Sequence, residues 1–432
     1  MKLANILLRL PHECTANQVC SARMKGKQKE SFASFNMIYM NFDHILIHCG
    51  EITLKGKNRN FFEARLMQNI KKQLEAFAPG CLESVSKTSG GILVKLNKKE
   101  VKNSVEIRNA LLHTFGIANF FFAKKIKLDL ETLKKSAFEL STEKDFATFC
   151  IRTQRSDKNY KLNSPQINEQ VGEYIFEKLE RKKKVSLKNP DLEIFISILH
   201  GSALISSEKI QGPGGLPVGT GGHAMVLMSG GFDSPIAAWQ LLKRGVSVHF
   251  AHFHSMPYTS KASLEKVESL IKVLQKFGAN GNLYSIPFAD AQKEIMLKAP
   301  APLRVILYRR FMMRIAESLA KKEKCLALVT GDSLGQVASQ TLENILAVNE
   351  AATLPVFRPL IGTDKEEIMQ IARKIGTYDI SKLPHDDCCT RLMPKNPETR
   401  AKLKDVLEAE KNLDIEKIIQ ETLGKTEKII VK

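Results

Sequence analysis

The stretch Ala224–Met225–Val226–Leu227–Met228–Ser229–Gly230–Gly231–Phe232–Asp233–Ser234–Pro235 decides how the second half of this chain folds. Its apolar first half reads as a buried strand, and Pro235 suits the first turn of a helix. The two glycines between them let the backbone come close to an anion, which the N–H groups of a strand-to-helix turn attract. Ser229 and Ser234 add hydroxyl donors. Asp233 would repel a bare phosphate, so a carboxylate at this place makes sense if it holds Mg²⁺. The G-x-x-x-x-G-K-[ST] pattern is absent, and the turn is not of the Walker type.

Outward from this turn, apolar strands at 224–228, 246–253, 283–288 and 326–330 alternate with helical patterns at 235–243, 261–277, 305–322 and 364–375. Buried strands separated by crossover helices predict a doubly wound parallel sheet covered on both faces. Upstream, Gly212–Gly222 (GPGGLPVGTGG) holds six glycines and two prolines in eleven residues, a domain boundary and linker by composition. Before it the pattern is α+β. Strands are expected at His44–Ile52, 92–96, 146–152, 185–187 and 192–199, with helices at 61–76, 105–114 and 168–182. The expected divisions are 1–40, a poorly ordered extension; 41–103 and 104–209, two small α+β domains; 210–222, the linker; 223–395, the parallel-sheet domain; and 396–432, a helical tail.

Composition narrows the partners. The 432 residues carry 65 Lys+Arg against 46 Asp+Glu, a net charge of +19. The cations cluster before residue 200, at Lys55–Lys57–Arg59, at Lys95–Lys98–Lys99–Lys102, at Lys124–Lys125–Lys127, at Arg152–Arg155–Lys158–Lys161 and at Arg181–Lys182–Lys183–Lys184. Such clusters suit nucleic-acid phosphates, although charge alone equally describes a solvated face. No apolar run reaches the ~18 residues of a membrane helix, so a soluble protein with no membrane partner is expected. Met1–Leu10 is broken by Arg9 and Pro11, and no small-residue cleavage site follows, unlike a signal peptide. The eight cysteines form no C-x-x-C pair and read as reduced, cytoplasmic thiols. Only the adjacent Cys388–Cys389 asks for an explanation.

The S-G-G-x-D-S turn in register between strand and helix resembles the pyrophosphate loop (PP-loop) of the ATP pyrophosphatase superfamily. Further stretches narrow the resemblance: GEITLKGKNRNFFE at 50–63, RTQRSDKNYKLNSPQINEQVG at 152–172, VSLKNPDLEI at 185–194, TGDSLGQVASQTLEN at 330–344 and LPHDDCCT at 383–390, with the glycine-rich segment at 212–222. Together, from about residue 41 onward, the chain is similar to the tRNA 4-thiouridine synthetase family. The resemblance implies a ferredoxin-like domain and a THUMP domain that grip tRNA. The pyrophosphatase domain would use ATP and Mg²⁺ to modify uridine at position eight, with a link to thiamine thiazole synthesis.

By the same resemblance, ATP contacts fall on Leu227, Met228, His252, Phe253, Arg309, Gly331 and Gln340, and the loop chemistry adds Ser229, Gly230, Gly231 and Ser234 to them. Cys388 takes the family's catalytic place, with Cys389 an extra thiol beside it, and Asp233 joins it as a catalytic candidate through the Mg²⁺ it is expected to hold. Lys55, Lys57, Arg59, Arg152, Arg155, Lys158 and Arg181–Lys184 are the expected tRNA contacts. Many members of the family carry a further rhodanese domain, expected here to be missing after the tail at 398–423. A cysteine desulfurase is the expected persulfide donor, the thiamine sulfur carrier protein a further acceptor, and a homodimer stays open. Two rivals remain, another pyrophosphatase-type ligase and an RNA-binding protein whose nucleotide domain has lapsed.

Overall fold

The computed structural model describes residues 42–97, 104–258, 260–384 and 394–431. The expected extension at 1–40, Lys98, Lys99, Lys102 and the Cys388–Cys389 pair lie outside them.

The basic half is built on one nine-stranded sheet. In chain order its elements are β1 (His44–Cys49), α1 (Arg59–Phe77), β2 (Leu82–Thr88), β3 (Gly91–Leu96), α2 (Ser104–Leu112), β4 (Ile117–Lys127), α3 (Leu130–Ser141), β5 (Thr148–Arg155), α4 (Ser164–Lys178), β6 (Lys184–Val185), β7 (Leu192–Leu199), β8 (Ser202–Ser206) and β9 (Ile210–Gln211). The strand order is β2-β3-β1-β4-β8-β7-β5-β6, with β9 paired to β4. The eleven-residue β4 pairs with β1 through its first half and with β8 through its second, so one strand serves both α+β units. Helix α1 buries Leu66, Ile70 and Leu74 at i, i+4 and i+8 against this sheet. The α4 helix begins at Ser164, not near 168, because Asn163 and Gln166 form a reciprocal capping box with Pro165 behind it.

The second sheet is the doubly wound one. It contains β10 (His223–Leu227), α5 (Asp233–Lys243), β11 (Ser247–His254), α6 (Ala262–Gln275), β12 (Leu283–Pro287), α7 (Ala289–Lys298), α8 (Arg304–Lys322), β13 (Ala327–Val329), α9 (Leu342–Asn349), β14 (Val356–Phe357), α10 (Lys365–Ile375), α11 (Tyr378–Lys382), α12 (Leu403–Glu410), α13 (Ile415–Gly424) and β15 (Glu427–Ile429). The order is β14-β13-β10-β11-β12-β15, parallel except for β15 on β12. Along β10, Ala224 and Val226 join α5, α6 and α10 in one core, while Met225 faces the α7–α8 side. That is the alternation of a sheet buried on both faces.

Two segments carry more structure than was expected. The linker at 210–222 is held as a fixed strap. The Gly212 and Gly214 N–H groups bond back to Ala118 and Ile117 of β4, and the Leu216 and Gly219 N–H groups bond to Lys243 at the end of α5 and Gly245 just beyond it. Leu216 and Val218 are buried. Gly215 has a positive φ, and a Cβ there would meet the Lys243 carbonyl oxygen at 2.2 Å, which explains one glycine of the run. The segment 396–432 is also more than a helical tail, since it ends as the edge strand β15.

This last segment is held by charge. Arg310 of α8 is fully buried and donates to both oxygens of Glu410 at 2.8 Å, to Glu350 at 2.7 Å and to the Ala347 carbonyl. Arg314 adds a second fork on Glu410 at 2.6 and 2.9 Å. Burial alone would raise the Glu410 pKa, but the two guanidinium groups hold it below the usual carboxylate range. Removing the carboxylate leaves Arg314 without an acid partner among the described residues and Arg310 with Glu350 alone, and a broken buried pair costs about 3–5 kcal/mol. Glu410→Ala should lower the denaturant midpoint correspondingly; an unchanged midpoint would show that α12 is not anchored by this network.

Candidate functional site

The C-terminal ends of β10, β11 and β13 open into a cavity of about 410 Å³. This is where a doubly wound sheet binds ligands, outside the carboxyl ends of its strands. Ten of the eleven expected ATP contacts line it: Leu227, Met228, Ser229, Gly230, Ser234, His252, Phe253, Arg309, Gly331 and Gln340, and Asp233 lines it too. Gly231 lies behind the wall, where its carbonyl accepts a hydrogen bond from Ser381 Oγ at 3.2 Å.

The loop closes on itself through Ser234. Ser229 N–H donates to Ser234 Oγ at 2.9 Å, and that hydroxyl lies 3.2 Å from the Ser229 carbonyl, to which it donates. Ser234 Oγ is also 3.2 Å from Ser229 Oγ, so this hydroxyl staples the loop while it lines the cavity. Gly331 packs against the same turn. A Cβ on it would sit 2.7 Å from Ser234 N and 2.8 Å from the Asp233 carbonyl carbon, so only glycine lets the end of β13 reach α5.

The electrostatic centre is a residue that sequence reasoning did not single out. Asp332, 4% exposed, accepts from Arg309 at 2.5 Å, Thr330 Oγ1 at 2.7 Å, Gln340 Nε2 at 3.2 Å and Arg358 Nε at 3.2 Å. Burial acts to raise its pKa, but Arg309, Thr330 and Arg358 hold it below the usual range. Arg309 also donates to Ser339, so its guanidinium is fixed in the wall before any phosphate arrives. The Oε1 atoms of Gln340 and of Gln336, a second residue sequence reasoning passed over, are buried and unpartnered. They are two acceptors ready for ligand N–H or O–H groups.

Asp233 is paired with Lys365 Nζ at 2.7 Å and takes Gln336 Nε2 at 3.1 Å. Lys365, at the start of α10, carried no sequence signal. Mg²⁺ is an oxygen-seeking ion that needs only one or two carboxylates when phosphates supply its other ligands. Asp332 is saturated by its four donors, which leaves Asp233. Among the described residues no group of three or more His, Cys, Asp or Glu could hold a metal. The donor set fits an ion that enters on a triphosphate.

His252 is buried with both ring nitrogens used. Nδ1–H donates to the Met228 carbonyl at 2.9 Å, and Nε2 is 3.2 Å from Ser263 Oγ. Its ring forms part of the cavity wall beside Met228 and Ser263. One turn along α6, the buried Lys266 donates to the Ser381 and Leu383 carbonyls at 2.8 and 2.6 Å, capping the C-terminus of α11. Burial lowers its pKa. Lys266, Ser381 and Gly231 thus tie the wall of the cavity to its phosphate loop.

The expected tRNA contacts lie on the other sheet and are unequal. Arg155 spends its guanidinium on the Leu162 and Lys158 carbonyls, both at 2.7 Å, and so shapes its own loop. Arg152 is held by Glu193 at 2.5 Å and by the Leu187 carbonyl, Arg59 by Glu63, Lys182 by Glu180 and Lys183 by Asp145. Lys55 and Arg181 lie over the rings of Phe62 and Phe176. Lys57, Lys158 and Lys184 make no ion pair with a described residue.

Comparison with known proteins matches the same architecture. The ThiI ferredoxin-like domain model matches residues 44–120, the THUMP domain model 127–208 and the Thiamine biosynthesis protein (ThiI) model 219–415. A protein of Caldanaerobacter subterraneus subsp. tengcongensis, named "Probable tRNA sulfurtransferase", is 46% identical over 87% of this chain and 97% of its own length. The chain belongs to the ThiI family of tRNA sulfurtransferases. Among solved structures, a 4-thiouridine synthetase crystallised with RNA and bound ATP superposes with a TM-score of 0.81 at 34% identity, covering 90% of this chain and 100% of that one. A Pyrococcus horikoshii Ot3 protein gives 0.61 at 27% identity, covering 77% and 99%. The sheets described above are thus the ferredoxin-like and THUMP domains and the PP-loop domain of a ThiI protein.

Two substitutions test this geometry. Gly331→Ala should abolish ATP binding by pushing β13 off the loop, while tRNA binding stays. Lys266→Met should raise the KM for ATP by about tenfold, as expected of one lost charge-assisted hydrogen-bond cap at about 1.4 kcal/mol. Wild-type ATP affinity in either variant would contradict the assignment.

Proposed function

We propose that this chain is an ATP-dependent tRNA sulfurtransferase that converts uridine at position eight of tRNA to 4-thiouridine. The observation that carries the reading is the convergence of the PP-loop, a fixed guanidinium and two unspent glutamine carbonyls on one cavity. The basic sheet on the same chain supports the tRNA part.

The residues suggest the division of labour. The triphosphate lies on the N–H groups of the Ser229–Ser234 turn and the N-terminus of α5, whose dipole favours anions. Gln336 and Gln340 receive donors from the sugar or base, and His252 and Phe253 wall the base end. Uridine O4 attacks the α-phosphorus, the bond to the bridging oxygen breaks, and pyrophosphate leaves. Loop N–H groups, Arg309 and Lys365 stabilise the departing charge, preorganised electrostatics of the kind that dominates such steps. Asp233 is the residue that would hold Mg²⁺, which supplies further neutralisation of the phosphates.

The second step replaces oxygen by sulfur. A cysteine desulfurase delivers sulfane sulfur to Cys388 as a persulfide. Its terminal sulfur bonds to C4, and AMP leaves with the former O4. The remaining S–S bond is cleaved by a second thiol, which takes the Cys388 sulfur into a disulfide and leaves sulfur on the uridine. That thiol is Cys389 or one from another protein, and a dithiol reductant restores the pair. The family model's description supports a further transfer of the same sulfur to the carrier protein of thiamine thiazole synthesis.

Nucleoside analysis of tRNA after incubation with desulfurase, cysteine and ATP tests the reading. Asp233→Asn should lose 4-thiouridine formation at least a hundredfold with tRNA affinity unchanged; normal levels would sink the loop assignment. Cys388→Ser should stop sulfur transfer yet still release AMP slowly when tRNA is present, and Cys389→Ser should be milder. Full activity of Cys388→Ser would refute its role, and equal losses in both would make the two thiols a working pair.

A further inference from the structure

Helix α1 has a second working stripe. Leu66, Ile70 and Leu74 face its own sheet, but Arg65, Asn69, Lys72, Gln73 and Ala76, at i, i+4, i+7, i+8 and i+11, face the PP-loop domain. Asn69 Nδ2 donates to the Val218 carbonyl of the strap at 3.1 Å, and Gln73 Nε2 to the Lys276 carbonyl beyond α6 at 3.0 Å. Between these two bridges lies a second cavity of about 250 Å³, completed by His113, Thr114, Ser247 and the 275–280 turn.

It is distinct from the nucleotide cavity. Ser247 opens β11, whereas His252 lies near its C-terminal end, and a rise of about 3.3 Å per residue puts the two roughly 16 Å apart, toward opposite ends of the strands. Its lining holds no Asp or Glu. Neither Arg65 nor Lys72 pairs with a described carboxylate, although both stand on a helix that carries Glu63 and Glu75. Burial lowers the His113 pKa and the nearby Lys276 charge acts in the same sense, so a third cation borders the site. The rings there are occupied with one another: His113 stacks on Phe77 at 5.4 Å and meets Phe277 at 4.6 Å. What the cavity offers a ligand is therefore positive charge with amide and hydroxyl groups, and no shelf for a base.

We propose that this cavity binds a phosphate of the RNA backbone, between the Arg65 guanidinium and the Lys72 ammonium. Arg65 and Lys72 stand two turns apart, about 10 Å along one face of α1, and an arginine fork and a lysine are both phosphate-binding groups. The lack of an aromatic shelf favours a backbone phosphodiester over a nucleotide, and the exposure of Lys72 leaves the site open to a large polyanion. Because the walls come from both the ferredoxin-like and the PP-loop domains, a phosphate seated there joins the domain that grips RNA to the domain that does chemistry. The inference rests on the tRNA reading above and adds a contact to it.

The test uses the full-length protein and unmodified tRNA. Arg65→Gln and Lys72→Gln should each reduce the slope of log affinity against log salt by about 0.7–0.9, with ATP KM and thermal midpoint unchanged. Arg65→Lys should restore most of the slope, since it keeps the charge. Slopes equal to wild type, with tRNA binding intact, would overturn the inference and leave the function standing. Absence of salt-dependent tRNA binding in the wild type would overturn both. In a parallel titration with inorganic phosphate, a rise in thermal midpoint for wild type but not for the variants, with equal tRNA slopes, would overturn the RNA source and assign the site to a small phosphate ligand.

Discussion

One buried carboxylate organises the chemistry of this molecule. Asp332 collects Arg309, Arg358, Thr330 and Gln340, which come from α8, the segment after β14, the end of β13 and the loop before α9. Taking a carboxylate out of water is costly, and the cost is met only when its lone pairs are all satisfied. That requirement fixes the four elements relative to each other. Gly331 beside it supplies the matching steric condition, since its missing side chain lets β13 touch the first turn of α5. The cavity is preorganised by these two neighbours, one through charge and one through the lack of a side chain.

The basic sheet and the PP-loop domain are joined at several points besides the strap. Arg244 at the end of α5 makes a two-pronged pair with Glu51 at 2.8 and 2.9 Å, and Phe115 is buried in the α5–α6 core. The Glu51 pair is half exposed, so it contributes little stability by itself, but its forked geometry fixes orientation. Apolar contact at Phe115 carries more of the adhesion. A rigid joint suits an enzyme whose substrate must be held by one domain and modified in another, because misplacement by about 1 Å costs large factors in rate.

The sequence made the parallel sheet legible because its strands are apolar runs and its helices are amphipathic, two periods that do not overlap. The PP-loop was legible because strand, glycines and helix start stand in register. Strands β2 and β4 were not foreseen. The first, LESVSKT, is a largely exposed edge with little apolar content, and the second, IANFFFAKKIK, mixes an apolar run with a basic one that reads as a charge cluster. The glycine-rich 212–222 was legible as a linker but not as a fixed one, because glycine serves tight contact as well as mobility, and the Lys243 carbonyl beside Gly215 distinguishes them. Asp332, Gln336 and Lys365 could not be read as site residues, since their roles come from partners 23, 103 and 132 positions away. The stapling role of Ser234 was also not legible, because a hydroxyl's direction has no sequence signature.

The central claim is that uridine O4 attacks ATP in the cavity beneath the PP-loop. It is tested most directly by following that oxygen. With tRNA carrying ¹⁸O at O4 of uridine eight, the account predicts that the label appears in the phosphate of AMP, one atom for each 4-thiouridine formed, with none in pyrophosphate or water. Label in water or in inorganic phosphate, with AMP unlabelled, would contradict adenylation of the base and with it the assignment of this site.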